Sequence, residues 1–198
     1  MSELNRKERR RRQILDAAKE IFAEKGYPAT TVDDIVSRVE VARGTFYLYF
    51  EDKKAVLTAL LSLFFETIGD RIHRIKLDDS ERTPRDQLRD NLQRLFELAL
   101  QDPSMVRILL HHATGVDAAL DERLEAFYTA LRGSFVDESL RQGQELGLVR
   151  DGNRQVMVSI AMGASKQLLL DVVAGEIEAT IPEAVEEVMG FIEHGLLS

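Results

Sequence analysis

The twelve residues RGTFYLYFEDKK, positions 43–54, put a guanidinium, three hydroxyls and two ammoniums within one short stretch. A planar guanidinium such as that of Arg43 can donate two hydrogen bonds to the edge of guanine, the commonest specific base contact in the major groove of DNA. Gly44, having no side chain, would let a backbone approach closely. The hydroxyls of Thr45, Tyr47 and Tyr49 can donate to phosphate oxygens, which fixes register without reading sequence. Lys53 adds a point charge for the same purpose. Phe46 and Phe50 are apolar and four positions apart, so they are expected to face a core and not the nucleic acid.

These groups act only if short helices position them. Ile14, Ala17, Ala18, Ile21 and Phe22 recur at helical spacing, and Gly26 stands where that helix would stop. Thr31 and Asp34 fit the Ser/Thr-x-x-acid capping pattern ahead of Ile35, Val36 and Val39. After a tight turn through Glu40 and Val41, a third short helix begins near Arg43, and a long fourth helix is expected over 52–75. Two short helices joined by a turn, with a supporting helix before and a scaffold helix after, are the arrangement that a helix-turn-helix reader of DNA needs.

GYPATTVDDI, then ARGTFYLYF, then EDKKAVL resemble the TetR family of bacterial transcription regulators over roughly residues 10–60. The resemblance implies a homodimer whose paired heads bind a palindromic operator and whose C-terminal domain binds a small molecule that releases the DNA. Carried over by position, it implies that Thr31 caps the second helix at a phosphate and that Arg43, Gly44 and Tyr47 form the base-proximal face. It also implies phosphate contacts for Thr45, Tyr49 and Lys53. One departure stands in the turn, where the family usually has Ala-Gly-Val and this chain has Val39, Glu40 and Val41. Glycine tolerates positive φ there and glutamate does so poorly, so Glu40 is expected either to reshape the turn or to carry strain.

Charge is divided in a way that suits such a head. The chain carries net charge −8 over 198 residues. Residues 1–54 hold 12 basic and 10 acidic side chains, which leaves 14 basic and 24 acidic beyond them. Six of the cations lie between Arg6 and Arg12, and Arg11 and Arg12, just ahead of the first apolar stripe, are placed to reach backbone phosphates or the minor groove.

Beyond the head every segment again has helical periodicity, and no run sustains strict alternation over strand length. An all-α chain of about nine helices is expected, with a helix-turn-helix domain at 8–54 and a ligand-binding and dimerisation domain at 55–198. Residues 154–174 are apolar nearly all round but interrupted by Ser159, Ser165, Lys166, Gln167 and Asp171, which speaks against a membrane span. With residues 182–197 they are expected to form the homodimer face, where Gly163 and Ala164 permit close helix approach. Phe96, Met105, His111, Tyr128, Met162 and Lys166 are candidates to line a pocket for an unidentified hydrophobic effector, although Met and aromatic residues at helical spacing also build plain cores.

Other functions fare worse. The chain has no cysteine, so disulfides, thiol nucleophiles and Cys-ligated zinc are excluded, and a reducing, cytoplasmic setting is expected. No export signal is read in the first residues, because charges break the stretch after Arg12. No nucleophile elbow, phosphate loop, HExxH or glycine-rich dinucleotide turn occurs. His111 and His112, adjacent on a helix, point about 100° apart, so they do not easily share a metal. Neither enzyme activity nor a cofactor is expected. The alternative kept open is a helical interaction protein whose head no longer binds DNA.

Overall fold

The structure, a computed structural model, describes residues 3–109, 118–130, 132–133 and 138–196. Among these the chain is all-α, with ten helices: α1 (Glu3–Lys25), α2 (Val32–Val39), α3 (Arg43–Tyr47), α4 (Lys53–Arg71), α5 (Pro84–Gln101), α6 (Pro103–Arg107), α7 (Ala118–Ala130), α8 (Glu138–Glu145), α9 (Arg154–Ala174) and α10 (Ile181–Leu196). The count exceeds the expected nine because the long helix anticipated up to Gly147 is described as two segments, α7 and α8.

The chain divides into two compact units, Met1–Glu66 with Asp102–Leu124, and Thr67–Gln101 with Glu125–Ser198, so the division falls inside α4. In the first unit α1 packs on α2 and α6, and α2 on α3. Its core holds Ile14, Ala18, Phe22, Ile35, Phe46, Val56 and Leu57, all fully buried. Removing each of the larger side chains from water contributes about 1.5–3 kcal/mol. Phe22 tilts against Tyr27 at 5.3 Å between ring centroids, and Phe46 against Phe50 at 6.0 Å. Lys19 ties α1 to the capping Asp102 of α6 through a 2.7 Å ion pair.

α1 starts eleven residues before the apolar stripe at Ile14, so the basic arm is described as helix and not as an extended tail. Arg, Lys, Gln and Glu are all strong helix formers and no Gly or Pro interrupts them.

α4 ends at Arg71, four residues short of the expected Ile75. Side-chain amides on α5 supply the reason. Asn91 accepts from the His73 N–H at 3.0 Å and donates to the His73 carbonyl at 2.6 Å. Gln87 does the same for Lys76, at 2.8 Å in each direction. The descending segment thus finds on α5 the partners that a longer helix would have provided within itself.

In the second unit α10 packs on α5 and α9. Arg89 pairs with Glu186 at 2.7 Å, and Arg85 with Glu193 beside it. α9 opens on an Asn153 cap and closes at Gly175, whose φ of 77° is left-handed. Met157, Val158, Ser165 and Leu169 of α9 are buried, as are Ala184, Val185, Val188 and Met189 of α10. By length and a mean hydropathy of 1.5, α9 is long and apolar enough to cross a membrane. Val156, Ile160 and, on α10, Phe191 are each about half exposed, at 53%, 50% and 53%.

Candidate nucleic-acid interface

α2 is fixed at both ends by its sequence. Thr31 caps it reciprocally: its hydroxyl accepts from the Asp34 N–H at 3.2 Å, while the Asp34 carboxylate accepts from the Thr31 N–H at 2.7 Å and from the Thr31 hydroxyl at 2.6 Å. The Lys25 ammonium, 2.6 Å from Asp34, and the two Thr31 donors hold that carboxyl well below the usual carboxylate range. Thr31 is exposed, and its hydroxyl proton is directed to Asp34.

The turn keeps a left-handed residue without glycine. Glu40 sits at φ 56°, ψ 49°, the one non-glycine residue with positive φ among the described residues. Its N–H and that of Val41 donate to the carbonyls of Ser37 and Val36 at 3.3 and 3.0 Å, closing the end of α2. Of the two expected outcomes at Glu40, the backbone takes the strained one and preserves the turn, at about 1–2 kcal/mol for a side chain in this region.

α3 is five residues long, has no side-chain cap at Ala42, and is held by Phe46, which is fully buried. The Tyr49 and Phe50 N–H groups donate back to the Phe46 carbonyl at 2.9 and 3.0 Å, so the anchor also fixes the chain that follows. Burial of Phe46 leaves Arg43, Gly44, Tyr47 and Leu48 exposed, with Thr45 and Tyr49 half-buried. A Cβ at Gly44 would meet no protein atom within 4 Å, so no internal packing demands glycine there.

Arg43 and Tyr47 are brought together one turn apart. The Arg43 Nε and Nη2 groups each lie 3.4 Å from the Tyr47 hydroxyl, and the guanidinium carbon lies 5.9 Å from the Tyr47 ring centroid. The same guanidinium donates through Nη1 to Asp33 of α2 at 3.2 Å. Both partners are largely exposed, at 58% and 65%. Asp33 was not among the residues singled out from the sequence, since its partner lies ten residues on, across the turn at Glu40. Leu48, 75% exposed at the end of α3, was also passed over.

Lys53 is placed differently from a free phosphate-seeking lysine. Its ammonium donates to the carbonyls of Tyr27, Pro28 and Thr30 at 2.9, 3.1 and 2.7 Å and lies 4.5 Å from the Tyr27 ring centroid. All three hydrogens are thereby occupied in bracing the loop between α1 and α2. Arg11 is half-buried with its guanidinium 5.4 Å from the Phe50 ring centroid, whereas Arg12 is exposed.

Of the candidate effector residues, Phe96 and Met105 are buried, Tyr128 and Met162 half-buried, and Lys166 exposed with its ammonium 5.7 Å from the Tyr128 ring centroid. Burial pushes the Tyr128 hydroxyl up from its ordinary pKa. His111, with His112, lies outside the described residues. Among the described residues no group of three His, Asp or Glu side chains is placed to hold a metal ion.

Residues 14–60 match the family profile described as "Bacterial regulatory proteins, tetR family". The chain is 31% identical over 143 residues to the fatty acid metabolism regulator protein of Bacillus subtilis, covering 71% of each. It is 32% identical over 97 residues to the HTH-type transcriptional regulator YuxN of the same organism, covering 49% of this chain but only 33% of that protein's length. Among solved structures, the transcriptional regulator FadR from Bacillus subtilis in complex with stearoyl-CoA superposes with a TM-score of 0.71 at 24% identity, over 91% of this chain and 96% of that one.

Proposed function

From the premise that this chain belongs to the tetR family of bacterial regulatory proteins, we propose that it is a homodimeric, ligand-released transcriptional repressor acting in the cytoplasm, with no reaction of its own. The observation that carries this is the pair Arg43 and Tyr47, exposed on a helix whose opposite side is anchored by the fully buried Phe46. A side chain that is long, cationic and left at the surface beside a phenol suits a base edge and its flanking phosphate.

In this proposal residues 8–54 form the DNA-binding domain and 55–198 the ligand-binding and dimerisation domain, joined by the helix that starts near 52. Arg43, Gly44 and Tyr47 meet the base edges. Thr31, Thr45 and Tyr49 serve the phosphates, and Arg11 and Arg12 extend the contact along the backbone. Lys53 belongs to the same surface through the loop it braces.

Dimerisation is assigned to α9 and α10. Support comes from Val156, Ile160 and Phe191, large apolar side chains left half exposed, and from the room beside Gly163, where an added Cβ would meet nothing within 4 Å. Burying such a face in a second copy accounts for an apolar helix better than a bilayer would, since Lys166, Gln167 and Asp171 fall within it. Two-fold symmetry would then place two recognition helices on a palindrome, with half-sites about 34–36 Å apart or a multiple of that.

A hydrophobic effector of the long-chain acyl thioester class is favoured by one relative named for fatty acid metabolism and one similar structure holding stearoyl-CoA. Such a ligand releases DNA only if it binds the released conformation more tightly than the bound one. The test is selection of duplexes from a random library by the purified protein, followed by titration of the bound complex with stearoyl-CoA. Recovery of a palindrome, and its release by the thioester but not by free coenzyme A, is the expected result. A palindrome indifferent to stearoyl-CoA removes that effector class; no enrichment at all leaves the interaction-protein alternative.

A further inference from the structure

The contact between Asp33 and Arg43 joins two helices at the surface proposed to meet DNA. Nη1 of Arg43 is 3.2 Å from the Asp33 carboxylate, while Nε and Nη2 share the Tyr47 hydroxyl at 3.4 Å. Every nitrogen of the guanidinium therefore has an internal partner, although the side chain is more than half exposed. A bidentate contact to guanine uses two of those nitrogens. The three contacts take three of its five N–H donors, so guanine and Asp33 compete through the orientation of the guanidinium and not for a last free donor.

The two partners differ in what DNA does to them. The Tyr47 hydroxyl is neutral and can turn toward a phosphate while staying near Arg43. The Asp33 carboxylate is an anion that phosphates repel, and as an acceptor only it pulls the guanidinium toward itself and away from a base. Asp33 has no role in the reciprocal cap of α2, which belongs to Thr31 and Asp34.

We propose that Asp33 is an affinity-setting residue: an internal carboxylate that holds Arg43 in the free protein and competes with the DNA bases for it, lowering affinity for the selected site. A repressor that a ligand must release gains from this arrangement, because the coupling available from one ligand is limited to a modest factor. The inference rests on the proposed role of Arg43 at a base edge.

A double-substitution cycle tests it, using the duplex that the parent protein selects from a random library and a scrambled duplex of the same length. Asp33→Asn is expected to tighten binding to the selected duplex roughly threefold to fivefold at low salt, the range for releasing one exposed ion pair. The gain is expected to be smaller on the scrambled duplex, where no bidentate contact displaces the carboxylate. In an Arg43→Ala background the same Asp33→Asn change is expected to have less than about a twofold effect, the signature of two residues acting through each other.

Equal gains with and without Arg43, or equal gains on both duplexes, would mean that Asp33 acts only as a repelling charge, and the proposal fails. No gain in the parent background also ends it. If Arg43→Ala alone leaves the selected duplex bound as before, Arg43 is not a base contact and both proposals fall, a result distinct from the others. Asp33→Ser, which suits the first turn of a helix, repeats the cycle should Asn disturb α2, and thermal melting of each variant shows that the head is folded.

Discussion

α3 and α9 carry their proposed roles in opposite ways. α3 has five residues, among them Phe46, fully buried in the core, and Arg43, held at the surface by Asp33 and Tyr47. α9 has twenty-one residues, and its exposed Val156 and Ile160 have no such individual chemistry. In its proposed role the first would work through individual donors, where a single atom matters. The other offers area, where no single atom does. Substitutions should therefore separate DNA binding from assembly, and each prediction below is a place where that separation would break or sharpen.

The largest effect is expected where α3 is anchored. Phe46→Ala removes a fully buried ring, and the head should lose about 3–5 kcal/mol of stability, read as a lowered denaturation midpoint together with lost DNA binding. If DNA binding survives with the midpoint unchanged, α3 is not held by Phe46. Next comes the area side of the comparison. Val156→Asp combined with Ile160→Asp forfeits the burial still open to these half-exposed side chains, about 1 kcal/mol each, and places like charges across a two-fold axis, where each change counts twice. Sedimentation should find monomers at concentrations where the parent is dimeric, with circular dichroism unchanged. A dimer that persists would move the interface elsewhere.

Lys53 sharpens the comparison within the head. Lys53→Met abandons three carbonyls in the loop between α1 and α2, and hydrogen bonds to a charged group are worth about 1.5–3 kcal/mol. The slope of log affinity against log salt should stay the same if the ammonium is a brace. A slope reduced by about one would instead mark a phosphate contact. The smallest change is expected at Glu40→Gly, where relief of the left-handed backbone offsets the entropy of glycine and leaves a gain of about 1 kcal/mol or less. Loss of stability there would show that the glutamate side chain has a favourable task in the turn.

Most of the head was legible in the sequence because α1 and α2 announce their own ends, whereas α3 has no side-chain cap and stops at Tyr47, before Tyr49 and Phe50. The Thr31 and Asp34 cap, the Gly26 stop and the three-and-four spacing of Phe46, Tyr49 and Phe50 are local signals, and local signals survive without knowledge of the rest of the chain. The Asp33 to Arg43 contact was hidden because it joins residues ten apart across a turn whose geometry depends on one backbone angle at Glu40. Lys53 was hidden for a similar reason: its partners lie 23 to 26 residues away and are carbonyls, which no side-chain pattern reports. The early end of α4 at Arg71 depends on Gln87 and Asn91 of α5 replacing helical partners, again a tertiary effect that periodicity through Ile75 does not reveal. In the body, apolar residues distributed around α9 announce burial on more than one side, but which of those sides packs within the chain is decided by α5 and α10.

The most direct test compares the parent with an Arg43→Ala, Tyr47→Ala double variant on the duplex that the parent selects from a random library, at two salt concentrations, beside sedimentation of both proteins. The expected result is a palindrome bound by the parent, affinity for it reduced at least about tenfold in the variant, in line with the loss of one bidentate base contact, and identical sedimentation. A variant that still binds the palindrome as tightly as the parent would contradict the assignment of sequence reading to the exposed side of α3.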